Sequence, residues 1–143
     1  MAIANLQETI QANILRRNQL NLEITELQTQ KNLAAYSQMD VNSIMNSEKN
    51  AVRAHFKNLF ETNENDYEDY EHYTEIPEYE EEIDRITAMF QEQLDELTAW
   101  ETILDSQITT NSAELEEINA YLESYKSMLS TNIQEDFNFG LNG

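Results

Sequence analysis

The acidic segment of residues 61–82 holds most of the side chains that could do chemistry. It contains eleven Asp or Glu residues, four tyrosines and the only proline of the chain, but no Lys or Arg. Asp69 and His72 have the i, i+3 spacing of a carboxylate–histidine ligand pair on a helix. A two-metal site in a helical bundle needs two such pairs and two further carboxylates. The second histidine, His55, has no ligand-type residue three or four positions away. We therefore expect no metal site and no cofactor.

Calcium loops and catalytic motifs are missing as well. A calcium loop places oxygen ligands at regular spacing around a central glycine. The nearest sequence here, NENDYE at residues 63–68, lacks both features. The chain has no cysteine, its two glycines are Gly140 and Gly143, and its two histidines fit no Ser–His–Asp pattern. Because neither a nucleophile with its base nor a phosphate-binding glycine loop is present, we expect the protein not to be an enzyme.

The tyrosines between the acids favour a docking surface. Tyrosine supplies contact area, and carboxylates attract a basic partner. At the C-terminus, large apolar residues alternate with small or polar ones, which is typical of an extended segment that adds to a partner. The candidate partner-binding residues are Tyr67, Tyr70, Tyr73, Tyr79, Phe137, Phe139 and Leu141.

A first helical arm, over about residues 3–60, precedes the acidic segment. Its apolar residues recur at 3-4 spacing, which places them on one stripe of a helix. Three positions of this seam are polar, and Asn13 among them is either a determinant of register or oligomeric state or an imperfection near the end of the arm. The apolar positions of the seam are Ile3, Leu6, Ile10, Leu20, Ile24, Leu27 and Ala34, and the pattern resumes with Val41, Ile44, Met45, Val52, Phe56, Leu59 and Phe60.

A second arm, over about residues 77–135, follows. Pro77 fits the first turn of a helix, where its missing N–H group is not needed. The acids after it favour the positive end of the helix dipole. The seam of this arm contains a 4-4 step through Ile86, Phe90 and Leu94, which shifts it locally.

The two arms and the connector between them, about residues 61–76, predict an all-α fold. We expect a long antiparallel helical hairpin with coiled-coil character, as a single domain over residues 1–136, followed by a flexible tail at 137–143. Breaks near Asp40 and Asn111 would instead give a four-helix bundle. The hairpin is the preferred fold because both seams keep their phase there without Gly or Pro.

The net charge of −20 is unevenly distributed. Residues 1–60 hold six Lys or Arg and five Asp or Glu, whereas residues 61–143 hold two and 23. Such a chain repels nucleic acid and anionic membranes, and it has no apolar run of about 18 residues that would insert into a bilayer. Its N-terminus lacks a basic region before an apolar core, so we expect a cytoplasmic protein or one exported without a cleaved signal peptide.

The leading functional prediction is a non-enzymatic helical assembly or adaptor protein that binds itself or a partner through apolar helix faces. It depends on apolar residues outside one seam, among them Leu15, Leu22 and Leu33. The alternative is an acidic decoy or inhibitor of a basic, nucleic-acid-binding protein. A decoy needs carboxylates in rows on one face, whereas charge that only keeps a helix soluble is spread over all outward positions.

Overall fold

A computed structural model of the chain describes the backbone of residues 2–142 and the side chains of residues 2–138. Two long helices, α1 (Ile3–Thr62) and α2 (Pro77–Asn142), account for most of it. Two short 3-10 turns, Glu64–Tyr67 and Tyr73–Glu75, lie between them. The described residues contain no strand, which confirms the all-α prediction.

Both helices continue through the positions where breaks were possible, so the four-helix alternative is wrong. α1 passes through Asp40, and α2 passes through Asn111. The polar residues near Asn111 do not compete with the helix, because the Thr110 hydroxyl donates to the carbonyl of Ser106 one turn earlier. Without Gly or Pro, nothing in either stretch offers the backbone a better alternative than continued helix.

The start of α2 is predicted correctly, but its end is not. Pro77 is its first residue, and Glu78 and Glu80 lie in its first turn. At the other end, the helix continues past residue 135 to Asn142. A single glycine, Gly140, lowers helix stability by only about 1 kcal/mol relative to alanine, which is too little to terminate an established helix. The backbone from Phe137 to Asn142 is therefore helical in the chain alone, and its addition to a partner as an extended segment stays a prediction.

Residues Met1–Lys31 and Ile103–Gly143 form one compact unit, here named the terminal unit. Its core joins three residues of α1 to two of α2, and further apolar residues pack against them. The two helix segments are antiparallel in this unit, because Arg16 contacts Glu114 and Lys31 contacts Asp105. The core residues are Leu6, Ile10, Leu20, Ile118 and Leu122.

Residues Asn32–Thr102 form the second compact unit, named the hairpin unit. The connector reverses the chain here, and the two helix segments are antiparallel, because Gln38 contacts Glu101 and Phe56 contacts Tyr79. The buried residues of this unit include Ala34 and Phe56 on α1 and Ile86 and Phe90 on α2. The predicted 4-4 step of α2 is matched on α1, where inward positions also recur at 4-4 spacing. These positions are Val41, Met45 and Lys49 on α1, and Ile86, Phe90 and Leu94 on α2.

Candidate interaction surfaces

The connector is held by contacts between aromatic rings. Tyr67 stacks on Phe60 of α1 with a centroid separation of 6.3 Å, and Tyr70 lies 6.3 Å from Tyr67. These tyrosines are half-buried. They therefore contribute to the internal packing of the hairpin unit, in addition to any contact area that they present outward.

A second set of rings joins the connector to the start of α2. Tyr79 makes edge-to-face contacts with Phe56, at 5.7 Å, and with Tyr73, at 5.4 Å. Ile76 is only 2% exposed beside them. Edge-to-face geometry is the favoured arrangement of aromatic pairs, worth about 0.5–1.5 kcal/mol beyond the area buried. The four tyrosines of residues 61–82 that were predicted to bind a partner therefore all lie in internal contacts, and their docking role stays a prediction.

Backbone–side-chain hydrogen bonds fix the segment between the two 3-10 turns. The Glu71 N–H donates to the Glu75 carboxylate at 2.7 Å, and the Thr74 N–H donates to Nδ1 of His72 at 3.3 Å. The His72 ring also lies 4.4 Å from the ring of Tyr73. His72 is thus used as a local cap. Among the described residues, no three His, Cys, Asp or Glu side chains lie close enough together to hold a metal ion.

Polar contacts across the helices set the register of the terminal unit. Arg16 donates two hydrogen bonds to the Glu114 carboxylate, at 2.9 and 3.0 Å. The hydrogen bond with Arg16 lowers the pKa of Glu114 below its usual 4.5, and the same bond raises the pKa of Arg16. Glu23 lies 3.7 Å from Arg16 and accepts a hydrogen bond from the Asn111 amide at 3.2 Å. A bidentate Arg–carboxylate pair fixes geometry as well as charge.

Asn13 has a local role within α1. Its amide donates to the carbonyl of Thr9 in the same helix, at 2.8 Å. Cross-helix polar contacts of this unit come instead from Lys31 with Asp105, at 2.6 Å, and from Arg16 with Glu114. Asn13 therefore bonds within its own helix, and its role as a determinant of register or oligomeric state stays a prediction.

In the hairpin unit, one side of α1 carries a group of large apolar side chains that do not pack on α2. They are 51–66% exposed, and we name them the α1 patch: Leu33, Tyr36, Met39 and Ile44. The prediction that Ile44 belongs to the buried seam is wrong, because the 4-4 step rotates it outward. In the terminal unit, Leu15 and Leu22 are similarly exposed, at 60% and 62%. Tyr36 and Met39 were not identified from the sequence, because they lie outside the 3-4 pattern of the seam.

The C-terminal candidates are described only in part. The Phe137 side chain is 65% exposed on the last turns of α2. The side chains of Phe139 and Leu141 lie outside the described residues. Among the three, Phe137 alone is therefore shown to be accessible to a partner.

No family model, curated protein or solved structure matches this chain. Neither helix, over the part that the structure describes, is long and apolar enough to cross a membrane.

Proposed function

We propose that the protein is a non-enzymatic helical assembly or adaptor protein that binds itself or a partner helix through apolar helix faces. The α1 patch is the observation that carries this proposal. Single exposed apolar residues are normal on protein surfaces, but adjacent large ones are characteristic of interaction sites. The α1 patch places four such residues within twelve positions of one helix, so they form a group and are not isolated exposed residues.

The two faces of α1 in the hairpin unit support this proposal. One face packs on α2 through buried residues such as Ala34 and Phe56. The other face carries the α1 patch. A helix with apolar side chains on two faces fits between two neighbours, as in a bundle or a multi-stranded coiled coil. The chain itself supplies one neighbour, and the second neighbour is supplied by association.

The acidic charge has a companion role, which is to keep the protein soluble. Glu80, Glu81 and Glu82 occupy three consecutive positions of α2, and consecutive helical residues point about 100° apart. Their carboxylates therefore spread around the helix instead of forming one row. This spread favours solvation over imitation of a phosphate backbone.

An acidic decoy remains the second proposal, supported by the eleven acids between residues 61 and 82. It predicts binding to a basic, nucleic-acid-binding protein that weakens steeply as salt rises. Association through apolar faces shows the opposite dependence, because salt screens the mutual repulsion of two acidic chains. Salt dependence thus separates the two proposals.

The experiment combines light scattering after size exclusion with binding of a dye that fluoresces on apolar surfaces. We expect either a mass above the 16.7 kDa of one chain or a monomer that binds the dye. The variant Tyr36→Ser, which removes a large side chain of the α1 patch, should reduce the association of the wild type or, if the wild type is a monomer, its dye signal. A monomer that binds no dye at low or high salt would overturn the proposal, because the exposed apolar faces would then bind neither a second chain nor an apolar ligand.

A further inference from the structure

We propose that a second copy of this chain covers the α1 patch, with the two α1 helices antiparallel. The patch of one copy would pack against the same patch of the other around a two-fold axis. This inference rests on the proposed function and names the partner. It also assigns the α1 patch as the surface of self-association.

The α1 patch forms a narrow stripe suited to helix–helix packing. With about 100° per residue, Leu33, Tyr36 and Ile44 fall within an arc of about 80°. Met39 lies on the flank of this stripe next to Tyr36. Leu33 and Ile44 are eleven residues apart, which corresponds to about 16 Å along the helix. Such spacing presents apolar side chains at both ends of a contact about three turns long.

The charge around the patch favours a copy of the same surface as its partner. Residues 32–47 contain a single charged side chain, that of Asp40, although the whole chain carries −20. A basic partner would be attracted to the connector and to α2, where the acids are concentrated. The patch has almost no charge with which to select such a partner. Two copies that meet at residues 32–47 bring together surfaces that carry one charge each, so the contact adds little to the mutual repulsion of two strongly acidic molecules.

Symmetry makes the patch complementary to itself. In a two-fold contact, each residue meets the same set of residues on the other copy. An antiparallel pairing centred between residues 38 and 39 sets Leu33 beside Ile44 of the second copy, and Ile44 beside Leu33. Asp40 then comes level with Ser37 of the second copy. The two Asp40 carboxylates are offset by about 4.5 Å along helices whose axes lie about 8–10 Å apart.

The pairing has one unfavourable feature, the approach of the two Asp40 carboxylates. Two like charges roughly 10 Å apart in water weaken the dimer by a factor of about two. A contact of this length belongs to the small and weak class of interfaces, below about 1,200 Å². We therefore expect a dimer that forms in a concentration-dependent manner.

Sedimentation velocity on single variants tests this assignment, at protein concentrations from about 10 µM to about 1 mM, the range of weak dimers. Leu33→Gln and Ile44→Gln should each weaken the dimer at least about tenfold, because each removes two apolar side chains from the symmetric contact. Asp40→Asn should strengthen it about twofold. The matched control is Ile103→Gln, which removes a side chain of similar exposure, 56%, from α2 and should leave the dimer unchanged.

Cysteine cross-linking tests the direction of the helices, since the natural chain has no cysteine. Leu33→Cys and Ile44→Cys variants are mixed and oxidised. Antiparallel pairing yields the mixed disulfide, because positions 33 and 44 are then neighbours within the reach of a disulfide. Disulfides of each variant with itself, without the mixed product, would contradict the antiparallel arrangement.

The outcomes separate this inference from the proposed function. A dimer that the Leu33 and Ile44 variants leave unchanged would overturn the α1 patch as its surface but leave helical assembly standing. A monomer at every concentration that binds the apolar dye, and loses this binding in the Leu33→Gln variant, would overturn self-association but leave an adaptor role standing. A monomer that binds no dye would overturn both. Circular dichroism confirms that each variant keeps its helix content.

Discussion

Leu20 and Leu22 provide a stringent test of the helix orientation in the terminal unit. They are the same residue type, two positions apart on α1, and their environments are opposite. Leu20 is 0% exposed within the core, whereas Leu22 is 62% exposed. Two positions correspond to about 200° around a helix, so only one of the two side chains can face α2.

Truncation to alanine should therefore have very different effects at the two positions. Leu20→Ala removes a fully buried side chain and leaves a cavity, which lowers the free energy of unfolding by about 2–5 kcal/mol. Leu22→Ala removes mostly solvated atoms at a position where alanine is at least as good a helix former. Its expected effect is within about 0.5 kcal/mol of zero.

Urea denaturation followed by circular dichroism measures both values. The samples should be dilute, so that self-association does not add to the stability of the folded state. Equal losses for the two variants would refute the orientation of α1. A larger loss for Leu22→Ala would mean that α1 is rotated by about half a turn from the orientation described.

Three further predictions concern charge and the connector. Glu114→Gln should destabilise the terminal unit at neutral pH, whereas the exposed control Glu116→Gln should not. Because Arg16 lowers the pKa of Glu114, the stabilisation is complete above pH 4.5 and lost as pH falls through the lowered pKa, so unfolding curves of the Glu114 variant should be less sensitive to acid. Phe56→Ala should lower the free energy of unfolding by about 3–5 kcal/mol and change the near-ultraviolet dichroism of Tyr79, which it contacts. Raising NaCl from about 0.02 to about 0.5 M should raise the Tm, because it screens the repulsion among the acids, and an unchanged Tm would contradict this role of the charge.

The sequence was sufficient to predict the two helices and most positions of their buried seams. Leu6, Ile10 and Leu20 follow the predicted 3-4 spacing, and all three are buried. Pro77 begins α2 as expected, because its missing N–H group can be accommodated in the first turn. These features depend on the spacing of residues within one helix, which can be read directly from a single sequence.

The exposed surfaces were harder to predict, since α1 has apolar residues on two faces. Periodicity alone does not tell which face meets α2 once a 4-4 step changes the phase, and Ile44 was assigned to the wrong face for this reason. The pairing of Arg16 with Glu114 depends on the register between helices, which neither helix specifies alone. The tyrosine contacts depend on the path of the connector, whose short 3-10 turns leave no strong periodic signal in the sequence.

The most direct test of helical assembly is the molar mass of the wild-type chain in solution, measured by sedimentation equilibrium at low and high salt. The assembly proposal predicts a mass above the 16.7 kDa of one chain, with a share of larger species that persists or grows at high salt as the acidic repulsion is screened. A mass of 16.7 kDa at both salts and at every concentration would contradict self-association and leave an adaptor or an acidic decoy that awaits another partner.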